Sequence, residues 1–181
     1  QALRALNTFK GIFDRTYHQL MGDKLGLTTP GQEHLGTHNE ATDAQQALMD
    51  GILKLLAQDR VDYTIFWRRL SHAQASGNAE PVRDLFLDRL WFDAWMLSYQ
   101  ELSAHMDQRL QANFMLKTNP KFVLRNHLGE NAIRAAKLGD YSGVANLLTL
   151  LATPFDEHPA HDADAGFPPD WASQIEISCS S

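Results

Sequence analysis

The chain has 181 residues, 44% of them hydrophobic and 21% charged, with 22 acidic against 16 basic side chains for a net charge of −6. That length supports one core-bearing domain, burying roughly 70% of its unfolded surface without staples. The acidic balance makes nucleic acid and anionic membranes poor partners, no apolar run nears the roughly 20 residues of a spanning helix, and one cysteine permits no internal disulfide.

Helical spacing runs through most of the sequence. Leu3, Leu6, Phe9, Ile12 (or Phe13), Tyr17, Leu20 and Met21 recur at intervals of three and four, predicting a first helix that Gly26 ends and Gly22 weakens near its last turn. Residues 27–39 are loop by composition. Asn39 or Thr42 is placed to cap a second helix carrying Ala44, Ala47, Leu48, Ile52, Leu55 and Leu56 on one face. Asp62 is placed to cap a segment over 63–72 with Ile65, Phe66 and Leu70 as its stripe. After a polar break, Pro81 suits the first turn of a short helix holding Leu85 and Phe86.

Asp88 opens a long predicted helix through Trp91, Trp95, Leu102, Met106 and Leu110 to Leu116, stopped by Pro120. Residues 122–138 and 142–151 read as antiparallel helices joined at Gly139-Asp140-Tyr141. Beyond Pro154 the composition turns to Asp, His, Pro and Ala, where regular structure is expected to end. The expected fold class is all-α: an irregular domain of about six to seven helices over 1–153, then an extended irregular tail over 154–181.

Motifs for nucleotide chemistry are missing from the sequence. Neither Gly-x-x-x-x-Gly-Lys-Ser/Thr nor Gly-x-Gly-x-x-Gly occurs, nor the kinase Asp-Phe-Gly triplet. His-Glu-x-x-His, Gly-x-Ser-x-Gly and paired-cysteine zinc spacings are absent as well. No catalytic, cofactor-binding or metal-ligating residue is therefore assigned.

Eight histidines raise the question of a metal. His34 and His38 lie in a loop; His158 and His161 lie beside Asp156, Glu157, Asp162 and Asp164. A metal needs ligands held rigidly by an outer layer of contacts. A proline-flanked acidic tail offers ligands without that rigidity, so a solvated loop is the plainer reading and a small metal-dependent hydrolase the rival. His105 and His127 lie on predicted helices without a suitable partner four residues on, and read as surface or boundary residues. Trp91 and Trp95, four apart beside Phe92, are expected to stack on one helical face. Core packing is the plainer account of them, and a docking face of a free-standing helical interaction module the alternative. Lys121, Arg125 and Arg134 form a basic strip read as structural salt links, each stabilising by about 0–1 kcal/mol where exposed.

Cys179 stands third from the last residue, in Ile175-Glu176-Ile177-Ser178-Cys179-Ser180-Ser181. A tail thiol without an adjacent Lys or Arg keeps a pKa near about 8.5, so direct catalysis is not expected. Thiol exchange needs only access and proximity, which leaves a redox role and an accident of sequence both open. The thiol-bearing tail, and a chain opening on Gln1 within a helical pattern, suggest the last piece of a larger polypeptide.

Asn119-Pro120-Lys121-Phe122-Val123-Leu124-Arg125-Asn126 resembles a block of the SelO family (also YdiU or UPF0061). Pro154-Phe155-Asp156-Glu157, Pro168-Pro169-Asp170-Trp171 and Ser178-Cys179-Ser180-Ser181 are similar to that family in the same order. So are Leu20-Met21-x-x-Lys24-Leu25-Gly26-Leu27 and Phe86-x-Asp88-Arg89-x-x-Phe92-Asp93-Ala94-Trp95, so the resemblance covers essentially the whole chain. It implies a kinase-like parent, a protein adenylyltransferase that moves AMP from ATP, with Mg²⁺ or Mn²⁺, onto Ser, Thr or Tyr hydroxyls of protein substrates. The family's catalytic and metal-binding residues lie N-terminal to this sequence, so none is carried over. Cys179 occupies the place where some relatives carry selenocysteine, and the resemblance implies redox pairing with a cysteine near the active site. The N-terminal kinase-like part of the parent is the implied partner, and the expected location is cytoplasmic.

Overall fold

The computed structural model describes residues 2–28 and 42–175, with side chains from Thr8 onward. Among the described residues the structure is all-α, with no strand: α1 (Ala2–Leu25), α2 (Asp43–Gln58), α3 (Tyr63–Ser76), α4 (Glu80–Arg83), α5 (Arg89–Ser103), α6 (Gln108–Thr118), α7 (Asn126–Lys137) and α8 (Ser142–Ala152). Two short 3-10 helices follow, Pro159–Ala165 and Asp170–Gln174. The chain divides into two compact units, Gln1–Asn119 and Pro120–Ser181.

In the first unit the caps fall where short polar residues precede apolar stripes. Thr42 and Gln45 form a reciprocal capping box, with Gln45 N–H donating to Thr42 Oγ1 (3.2 Å) and Thr42 N–H to Gln45 Oε1 (3.0 Å). Asp62 accepts from Ile65 N–H (2.9 Å) and Asp88 from Trp91 N–H (3.1 Å). The other candidate cap, Asn39, lies outside the described residues. α1 ends at Gly26, whose φ of +66° favours glycine. α3 packs on α6, α2 on α5, and α1 on α6. Leu25, Met49, Ile52, Leu55, Phe66, Trp67, Leu70, Phe92, Tyr99 and Met115 are buried between them, each contributing about 1.5–3 kcal/mol by leaving water.

Three boundaries differ from the sequence expectation. The long helix foreseen from Asp88 to Leu116 is two helices, because Asp107 accepts from Leu110 N–H (2.9 Å) and starts α6 anew. Its two halves have different partners: α5 lies on α2, whereas α6 lies on α3 and α1. α4 ends at Arg83, so Leu85 and Phe86 follow it in tight turns, with Phe86 still buried. In the second unit, α7 begins at Asn126 rather than near Phe122. Lys121 and Phe122 N–H groups both donate to Pro154 O (2.8 and 3.1 Å), which holds residues 121–122 out of the helix. The hairpin of α7 and α8 turns at Gly139, with φ of +87°. Past α8, regular structure does not stop, since residues 154–175 form a strap containing both 3-10 helices.

Candidate functional site

A helix leaves its last carbonyls without intrahelical partners. In the first unit, buried side chains take the carbonyls that end α1 and α6. Asn119, fully buried, donates from Nδ2 to Lys24 O (2.9 Å) and Ser71 Oγ (3.0 Å), and its Oδ1 accepts from Lys24 Nζ (3.3 Å). Tyr99 Oη donates to Leu25 O (2.8 Å), which Gln111 Nε2 also approaches (3.5 Å). Arg68 Nη1 donates to Leu116 O (2.8 Å) and Asn119 O (3.0 Å). Burial pushes the Tyr99 phenol up and the Lys24 ammonium down. Lys24 Nζ stands 5.6 Å from the ring centroids of both Tyr63 and Trp67. The first residue of the Asn119–Asn126 block is thus a clamp between helix ends, with every polar atom of its amide committed.

The second unit is organised around Lys121. Its Nζ donates to Glu157 O (2.5 Å), Glu157 Oε2 (2.9 Å) and Asp162 Oδ1 (2.6 Å), fastening the strap to the residues preceding α7. Burial pulls the Lys121 ammonium down, but its bonds to Asp162 and Glu157 prevail and its pKa is raised. Further along, Trp171 meets α7. His127 lies edge-on to its ring (6.2 Å, 90°), and the Arg134 guanidinium sits over it at 5.7 Å while bonding Glu130 (2.7 Å). Burial lowers the His127 pKa, as does Arg125, against an opposing pull from Asp164. Glu130, Arg134, Trp171, Gln174 and Ile175 line an open cleft of about 360 Å³ at the end of the strap.

The histidines of the strap do not converge. His158 Nε2 pairs with Thr153 Oγ1 (2.7 Å), and His161 Nδ1 with Asp164 Oδ2 (2.9 Å). Glu157 and Asp162 are turned to Lys121 instead. Among the described residues, no group of three or more His, Cys, Asp or Glu stands close enough to hold a metal. His34, His38 and Cys179 lie outside the described residues. His105 is exposed, but His127 is buried against Trp171 rather than at a surface or boundary.

The aromatic patch divides. Phe92 and Trp95 are core, and Trp95 stacks on Tyr99 (5.4 Å, 4°) and bonds Leu48 O from Nε1 (2.8 Å). Trp91, expected to stack with Trp95, is 39% exposed with Lys54 Nζ over its ring at 5.8 Å. The basic strip is structural: Lys121 holds the strap, Arg134 pairs with Glu130, and Arg125 precedes the first turn of α7. Sequence reasoning assigned no role to Asn119 or Trp171. Their places in the two quoted blocks were the available signal.

Residues 2–152 match the family described as protein adenylyltransferase SelO. The chain is 56% identical over 180 residues to the protein nucleotidyltransferase YdiU of Variovorax paradoxus (strain S110), covering 99% of this chain and 34% of that protein. The protein of the same name from Albidiferax ferrireducens is 54% identical, covering 99% and 35%. That from Thiobacillus denitrificans is 48% identical over 185 residues, covering 99% and 36%. The chain therefore spans about a third of the length of the curated relatives it matches.

Proposed function

The chain belongs to the SelO family of protein adenylyltransferases, and from that premise we propose that it is the C-terminal helical region of such an enzyme. The parent reaction transfers AMP from ATP to Ser, Thr or Tyr hydroxyls of protein substrates, a reaction served by positioning and by neutralising phosphate charge. This region supports the kinase-like part of the parent and carries Cys179 as a regulatory thiol.

The observation that carries this reading is the family match over residues 2–152 in a chain spanning a third of its relatives. The chemistry of the described side chains agrees with a supporting role. Glu157 and Asp162 are held by Lys121, Asp93 by Arg83 in a two-bond pair (2.7 and 2.8 Å), and Asp84 by Arg89. The strap contributes to regulation by fixing Ile175. Cys179 is four positions on from Ile175, so the two Cα atoms stand at most about 14 Å apart.

Calorimetric titration of this chain with Mg-ATP is expected to show no tight binding, and a sub-micromolar site would overturn the reading. In the full-length enzyme, Cys179→Ser should abolish any dependence of AMP transfer on thiol oxidants. An oxidant response that survives the substitution removes Cys179 from regulation.

A further inference from the structure

α1 changes the side on which it is apolar. In its C-terminal half, Met21 and Leu25 are buried in the core of the first unit, and Tyr17 packs against them. In its N-terminal half that same line of the helix carries Lys10 and Asp14, an exposed ion pair at 2.6 Å. The apolar residues there lie elsewhere: Phe9 is 66% exposed, Ile12 50% and Phe13 55%, and Leu20, about two turns further on, is 55% exposed. At 3.6 residues per turn these four share a stripe about 100° wide, centred about 140° round from Met21 and Leu25. Phe9 and Phe13 are stacked along it (centroids 6.1 Å apart), and Phe13 stacks in turn on Tyr17 (6.1 Å), where the stripe meets the edge of the core. A helix apolar on two sides has a second face to bury, and among the described residues of the first unit α2 and α6 pack against α1 while Phe9, Ile12, Phe13 and Leu20 stay exposed. A contiguous exposed stripe of this kind marks an interaction surface on a monomer.

Resting on the family-level role proposed above, we infer that this stripe docks against the polypeptide its relatives carry beyond the matched third. About two-thirds of each relative's length lies there, ample to supply an apolar partner face. A second copy of this chain is a poorer occupant, because each copy has a net charge of −6 and pairing would set like charge against like.

The test uses the full-length protein with its other accessible cysteines, including Cys179, replaced by serine. Phe13→Cys is compared with Lys10→Cys for reaction with a maleimide. Position 13 should react at least about tenfold more slowly than position 10. Equal rates in a preparation that still transfers AMP would overturn the docking surface while leaving the family-level role intact. Protection at position 13 that vanishes on dilution assigns the stripe to a second copy and overturns it too. Should Phe13→Cys not fold, hydrogen exchange on the unsubstituted protein decides. Slow exchange over residues 8–20 supports the surface, and exchange at free-peptide rates rejects it.

Discussion

Asn119 and His127 are both buried, and their chemistry sends them to different tasks. An amide has donors and an acceptor at once, so Asn119 satisfies Lys24 O, Ser71 Oγ and Lys24 Nζ from one side chain without carrying charge into the core. An imidazole carries a titration with it. The folded pKa of His127 lies below its ordinary value of 6.5, through burial first and Arg125 second, against the opposing pull of Asp164. Between the two values the unfolded chain takes up a proton that the folded chain refuses, so stability falls as pH drops below 6.5 and levels off beneath the folded pKa. Denaturant midpoints should fall across that window, and His127→Gln should lose this component. An identical pH profile in the variant would show that His127 does not contribute. Neither role was legible in the residues alone: a buried His and an exposed one look the same until Trp171, 44 positions away, is known to cover it.

For elements, local signals were read well where a cap and a stripe agree. Thr42, Asp62 and Asp88 each precede apolar residues at helical spacing, and each is bonded as a cap. Asp107 has the same chemistry but sits inside a continuous stripe from Leu102 through Met106 to Leu110, which concealed the break. Residues 122–124 are apolar and their spacing predicts helix, whereas the Pro154 carbonyl, a tertiary partner, draws the backbone away at Lys121 and Phe122. Gly26 was legible as a stop, and its surroundings make it strict. A Cβ there would lie 2.7 Å from Gln111 Cγ and 2.8 Å from Met115 Cγ, at a φ of +66°. Gly26→Ala should therefore destabilise by about 2 kcal/mol or more, combining left-handed backbone strain with displaced core side chains. Chemical denaturation with an unchanged m-value measures it, and a shift below about 0.5 kcal/mol would mean the neighbours yield freely.

At the scale of the whole molecule, the all-α class follows from spacing, whereas the strap depends on contacts no spacing reveals. Lys121 reaches Glu157 and Asp162, 36 and 41 positions on, through charges that the composition alone marked as a solvated tail. Lys121→Met should loosen this attachment. Chymotryptic cleavage at Phe155 or Trp171 is then expected to accelerate in the variant, and unchanged cleavage would leave the Pro154 and Trp171 contacts as the fastening.

The clamp at the end of α1 also bears on how the protein can be trimmed. Tyr99 Oη and Asn119 Nδ2 find their acceptors on Leu25 and Lys24, at the last turn of the first helix. A chain that starts beyond Leu25 would take the carbonyl acceptor from the Tyr99 phenol, at about 1–3 kcal/mol, and leave Asn119 Nδ2 with Ser71 Oγ alone. It would also bare the face of α6 that α1 covers. The last turns of α1, from Tyr17 to Leu25, therefore belong to the minimal folding unit, and a chain without them should be less stable.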